Sequence, residues 1–168
     1  MNESKVFDRM RADHERVRRD MDALEAAAGR SPDAAVMQAV LEGLEREFEI
    51  HMDGEDAVLF PALLRALPHS LGHVEGLAAE HRDLRGMLSA LLDLITRPAG
   101  AARDEQLGIQ TRDFVDLLRI HLRKEEAVVF RVAEQFLGAG EVERLAAHLA
   151  RAARSPHPGS IPTKGNHS

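Results

Sequence analysis

The chain has 168 residues, a formal net charge of −6, nine histidines and no cysteine. That length suits one domain with a sizeable core, and the absence of cysteine excludes disulfides, thiolate metal sites and a cysteine nucleophile. The negative balance, without Trp or Tyr to stack on bases, argues against a nucleic-acid partner.

The first residues, MNESKVFDRMRADHERV, are charged and lack the apolar run of a secretory signal. No stretch approaches the roughly 18 apolar residues that cross a bilayer, so a cytoplasmic protein with no membrane partner is expected. Ala, Leu, Glu and Arg are abundant and β-branched runs few, which favours helix throughout. A first helix is predicted over residues 3–28, ending at Gly29. Its apolar stripe holds Phe7, Met10, Val17, Met21 and Leu24, and His14 lies within it. Arg16, Arg18 and Arg19 are interspersed with acids and read as a solvated face.

Ser31-Pro32-Asp33 predicts the next helix start, with Ser31 as N-cap and Pro32 at the first helical position. This second helix runs to Ala66, and Pro61 inside it predicts a kink or a broken hydrogen-bond ladder. At 100° per residue, Leu44, Phe48, Val58, Leu59 and Ala62 share a face with His51 and Glu55. A third helix over 70–96 carries Val74, Leu77, Leu84, Leu88, Leu91 and Ile95, with His81 in the stripe. After a small-residue loop at 98–102, a fourth helix over 103–137 places Phe114, Leu118, Val128, Val129 and Val132 beside His121 and Glu125. Gly138 and Gly140 close it, and a short fifth helix follows at 141–153. The tail 155–168, SPHPGSIPTKGNHS, is expected to be disordered, with no role for His157 or His167. The predicted fold is an all-α antiparallel up-down four-helix bundle over residues 1–154, with a short C-terminal fifth helix.

The sequence repeats itself. Ile50–Phe60 reads IHMDGEDAVLF and Ile120–Phe130 reads IHLRKEEAVVF. Asp13-His14 with Met21 and Leu24 is echoed by Glu80-His81 with Leu88 and Leu91. The bundle thus reads as two copies of one helical hairpin, with four histidines and two glutamates turned toward a common centre.

A lone His-x-x-x-Glu pair is weak evidence of a site, since such pairs also form ordinary surface contacts. Six such groups in one core, with no inward Lys or Arg, are another matter. Each unsatisfied buried group costs about 1–3 kcal/mol and a buried carboxylate more, against a domain stability of about 5–15 kcal/mol. A buried metal centre removes that conflict. Imidazole and carboxylate without thiolate suit Fe, Mn or Zn, and six ligands suit two ions better than one tetrahedral zinc. The His-Glu-x-x-His zinc motif and the Glu-x-x-His motif of ferritin-like di-iron bundles are both absent.

The order of His14, HMDGEDAVLFP, His81 and HLRKEEAVVF resembles the hemerythrin-like (HHE cation-binding) family over residues 3–137. The resemblance implies that His14, His51, Glu55, His81, His121 and Glu125 ligate two iron ions joined by an oxo or hydroxo bridge, with Mn or Zn as alternatives. Oxygen-carrying hemerythrins place a further histidine one turn before the third-helix ligand, where this chain has Leu77. They also use an aspartate five residues after the fourth-helix histidine, where Glu126 follows Glu125. The internal repeat favours Glu125, the counterpart of Glu55.

With one histidine fewer, both ions would keep an open position. That favours turnover of hydrogen peroxide, NO or O2, as in a catalase-like or nitric-oxide-reactive oxidoreductase of oxidative or nitrosative stress. The alternative is a non-catalytic carrier or sensor of O2 or iron. No catalytic acid or base beyond the ligands, and no electron donor, is identifiable from the sequence.

Overall fold

A computed structural model describes residues 4–154; the predicted disordered tail, with His157 and His167, lies outside them. The described residues are helical and contain no strand: α1 (Ser4–Ala27), α2 (Ala34–Gly54), α3 (Phe60–Ala66), α4 (Leu71–Ile95), α5 (Ala101–Lys124), α6 (Phe130–Phe136) and α7 (Ala139–Ala152). A single π turn, Glu55–Leu59, joins α2 to α3, and a second, Glu125–Val129, joins α5 to α6. The four long helices therefore match the predicted bundle, and α7 is the short fifth helix. Neighbours are α1 with α2, α2 with α4, α4 with α5 and α5 with α1, a ring closed by short loops that force antiparallel neighbours.

Helix α2 starts later than predicted. Asp33, not Ser31, is the N-cap: its side chain accepts a hydrogen bond from the Val36 amide at 3.1 Å. Aspartate caps as well as serine, and Pro32 then precedes the helix, where its missing N–H has no consequence.

A larger difference concerns Pro61. The ladder does break in this helix, but at Glu55–Leu59, ahead of the proline, where the Phe60 amide reaches back to the Glu55 carbonyl. The second copy breaks at the same point, Phe130 to Glu125, although Arg131 stands where Pro61 does. The proline is accommodated by the wide turn and is not its cause. Each π turn inserts one residue into the helical phase. Straight-helix phasing puts Val58, Val128 and Val132 on the inner face, yet Val58 and Val132 are only partly buried and Val128 is 53% exposed. Phe60, Leu63, Phe130 and Ala133 are buried instead.

The core is layered. One apolar cluster holds Val17 to Leu24, Met37 to Phe48, Leu84 to Ile95 and Leu107 to Leu122. The other holds Val6 to Met10, Leu59 to Leu63, Val74, Leu77 and Val129 to Leu149. Between them every bundle helix contributes buried polar side chains: Asp13 and His14, His51 and Glu55, His81, His121 and Glu125. The polar layer is thus sealed by hydrocarbon above and below, which strengthens any electrostatic interaction inside it.

Candidate metal centre

All six residues singled out by the sequence repeat lie in this layer, and all are buried. The i,i+4 spacing of His51 with Glu55, and of His121 with Glu125, stacks each pair on one helix face. The π turn begins at each glutamate and brings Phe60 and Phe130 beneath the rings. Phe60 stacks on His81 with centroids 5.4 Å apart, and Phe130 lies 5.2 Å from His14.

The histidines form two pairs, one per hairpin. His14 Nε2 is 2.9 Å from His51 Nε2, and His81 Nε2 is 3.0 Å from His121 Nε2. The glutamates join the pairs. Glu125 places Oε2 3.2 Å from His14 and Oε1 2.8 Å from His121. Glu55 places Oε1 3.3 Å from His51 and Oε2 3.4 Å from His81. Two groupings able to hold a cation result: Glu55, His81, His121 and Glu125, and His14, His51 and Glu125, with Glu125 common to both.

An outer ring of carboxylates turns the same four rings. His14 Nδ1 donates to Glu126 at 2.9 Å, His81 Nδ1 to Asp56 at 2.7 Å and His121 Nδ1 to Glu80 at 2.9 Å. His51 Nδ1 faces Asp13 at 3.9 Å, too long for a hydrogen bond. Cations back the ring: Arg18 holds Glu126 with two bonds of 2.8 Å, Arg85 holds Asp56, Arg16 holds Asp13 and Lys124 holds Glu80. Arg16 and Arg18 stand on the solvent-accessible face that the sequence pattern predicts and reach from it to the outer ring. Sequence position sets Glu126 off the inner face, solvated or behind a ligand, but does not reveal the ring as a whole. In the sequence, Asp13 and Glu80 stand out only as neighbours of histidines, and Asp56 and Glu126 each precede an alanine in the repeated segment.

Ionised carboxylates only accept hydrogen bonds, so three of the rings carry their proton on Nδ1 and present an Nε2 lone pair inward. At His81 and His121 the two lone pairs face one another at 3.0 Å, beside two carboxylates, and require a positive charge between them. Both Glu55 oxygens are buried without a hydrogen-bond partner. In the metal-free pocket, protons supply the charge. Burial opposes it, but Glu55, Asp13 and Glu125 prevail and lift His51 to about 10. Asp56, Glu125 and Glu55 likewise overcome burial and lift His81 to about 11. Despite its own burial, Glu125 is held well below the ordinary carboxylate range by His121, His14 and His81. Metal ions would meet the same demand, and this donor set fits them.

Of the other histidines, His69 and His73 are exposed and His148 is partly buried on α7; none joins the cluster. Glu126 turns away onto His14 Nδ1 while Glu125 occupies the centre. A cavity of about 20 Å³ abuts the centre, bounded by Val17, Phe48, Leu118 and Leu122, with Glu47 among its lining groups. That is room for about one water-sized molecule.

A helical bundle with a buried, carboxylate-linked histidine cluster defines a cation-binding four-helix protein. Residues 5–133 match the model of the Hemerythrin HHE cation binding domain. The match spans most of the chain and takes in all six residues, and the chain belongs to that family. No curated protein matches it. Among the described residues, no helix is long and apolar enough to cross a membrane.

Proposed function

We propose that His14, His51, Glu55, His81, His121 and Glu125 hold two iron ions, and that the centre turns over a small ligand: hydrogen peroxide, NO or O2. The carrying observation is that each glutamate spans both histidine pairs, one oxygen to each. One pair with its carboxylate oxygens serves one ion, so two pairs sharing two carboxylates serve two. Iron bound there supplies Lewis acidity and electrons to a small oxygen- or nitrogen-containing ligand.

The chain's own residues set the conditions for that chemistry. The apolar layers above and below keep bulk water out. Asp56, Glu80 and Glu126 fix the ring tautomers and share the positive charge of the centre through the imidazoles. Reactivity rather than carriage is supported by Leu77, which fills with hydrocarbon the place of a further histidine, and by the cavity beside the centre. Glu47 lines that cavity and lies 3.6 Å from Arg16; in this reading it passes protons between the cavity and solvent.

Anaerobic iron loading followed by metal analysis tests the centre: two ions per chain are expected, and one or fewer overturns the dinuclear reading. Peroxide consumption and NO uptake by the loaded protein test the turnover. Reversible oxygen binding with no turnover would replace the enzyme with a carrier. Glu47→Gln should keep both ions and slow turnover of peroxide; unchanged turnover removes Glu47 from the scheme.

A further inference from the structure

The pseudo-twofold relation between the hairpins fails at the seat of α7. α7 lies across the first half, packed on α1, α2 and the first π turn, with Val142, Leu145 and Leu149 buried. Among the described residues, the corresponding face of the second half carries an open groove of about 440 Å³ between α3, α4 and the second π turn. Its apolar walls include Val74, Leu77 and Val129, the counterparts of Phe7, Met10 and Leu59 in the covered half. A volume of that size falls within the ~300–1,000 Å³ of small-molecule sites.

Two substitutions between the halves determine what fits. Gly54 admits α7 closely: a Cβ there would lie 2.7 Å from Leu149 Cδ2. Its counterpart Lys124 reaches across to Glu80, and both line the groove. A helix seated as α7 is would collide with that side chain, whereas a slimmer occupant would not. The α4 side of the groove carries Gly72 and Gly76, where α1 has Lys5 and Arg9. A Cβ at either glycine would meet nothing within 4 Å. Glycine is a poor helix residue, and here two of them leave a strip of helix surface bare beside Leu77.

We propose that this groove binds an unbranched aliphatic monocarboxylate, with its chain along Gly72, Gly76 and Leu77 and its carboxylate on Lys124. The Lys124 ammonium has three N–H donors and its side chain is 49% exposed, so it can take an anionic head. Glu80 already accepts from His121 Nδ1. A head group on Lys124 would draw the ammonium from Glu80 and leave that carboxylate to His121. The ligand is thereby linked to one histidine of one half.

Calorimetric titration of the full-length chain with decanoate tests the proposal, and its outcome is independent of metal content. One saturable site per chain is expected. Gly76→Phe on one wall and Val132→Phe on the other should each weaken binding at least about tenfold, with helix content and unfolding midpoint retained. Lys124→Met should weaken decanoate roughly tenfold and leave 1-decanol unchanged. Absence of saturable binding, several equivalents per chain, or full affinity in both filled variants overturns the proposal. So does a concentration-dependent dimer that Gly76→Phe abolishes, which would make the groove an interface between copies.

Discussion

The two hairpins agree in their interior and diverge toward the surface. Inside, His14 and His51 mirror His81 and His121, and Glu55 mirrors Glu125. The phenylalanines beneath the rings cross over, Phe60 to His81 and Phe130 to His14. Outside, His121 is held by Glu80 at 2.9 Å while His51 stands 3.9 Å from Asp13. Gly54 admits α7, whereas Lys124 keeps the matching face open. A shared ion centre, as proposed, would constrain donor positions to fractions of an ångström, which would keep the interior copies alike. No such constraint reaches the outer surface of the helices.

The strongest way to break the equivalence is to remove one inner donor. His51→Ala and His121→Ala should each lower bound iron from two ions to about one or fewer per chain, measured by metal analysis. Glu125→Ala should do more damage than either, since three of the four histidines lie within 3.4 Å of its carboxylate.

The outer ring sharpens the comparison. Glu80→Ala removes a formed hydrogen bond and should weaken metal binding by about 10–100-fold. Asp13→Ala removes a contact of 3.9 Å and should cost less than tenfold. Equal losses in competitive chelator titrations would show that the difference between His51 and His121 has no energetic meaning.

Proton binding offers a further test in the metal-free protein. His51 and His81 are raised from 6.5 to about 10 and about 11, so the folded chain binds these protons more tightly than the unfolded chain. Their contribution to stability is complete below about 6.5 and is lost as pH rises through about 10 and then about 11. The urea midpoint of the metal-free form should fall across that window. Metal binding displaces the same protons, so metal uptake near neutral pH should release acid, read with a pH indicator in weak buffer.

Gly54→Leu would push Leu149 outward and should destabilise the chain by about 1–3 kcal/mol, read by denaturant unfolding. Lys124→Gly, its mirror, should cost about 1 kcal/mol through helix propensity and up to about 1 kcal/mol more through its lost bond to Glu80. His148→Ala, on α7 and outside the cluster, should leave bound iron unchanged and alter stability by no more than about 0.5 kcal/mol.

Periodicity and repetition are properties of short stretches, and they determined much here. The apolar stripes defined the helices, and the repeated IHxxxE segments with His14 and His81 singled out the residues that lie together in the polar layer. Local pattern could not show the π turns, because straight 100° phasing brings Val128 inward and leaves Phe130 out. One inserted residue reverses that, and its placement at each glutamate accompanies the packing of four helices around one polar layer. Nor could sequence pair Glu126 with His14 or Asp56 with His81, since each contact crosses between hairpins and exists only once the bundle is closed. The seat of α7 on one half, and the open groove on the other, follow from how a glycine and a lysine at matching positions meet the rest of the chain. That encounter is long-range, and only the tertiary structure decided it.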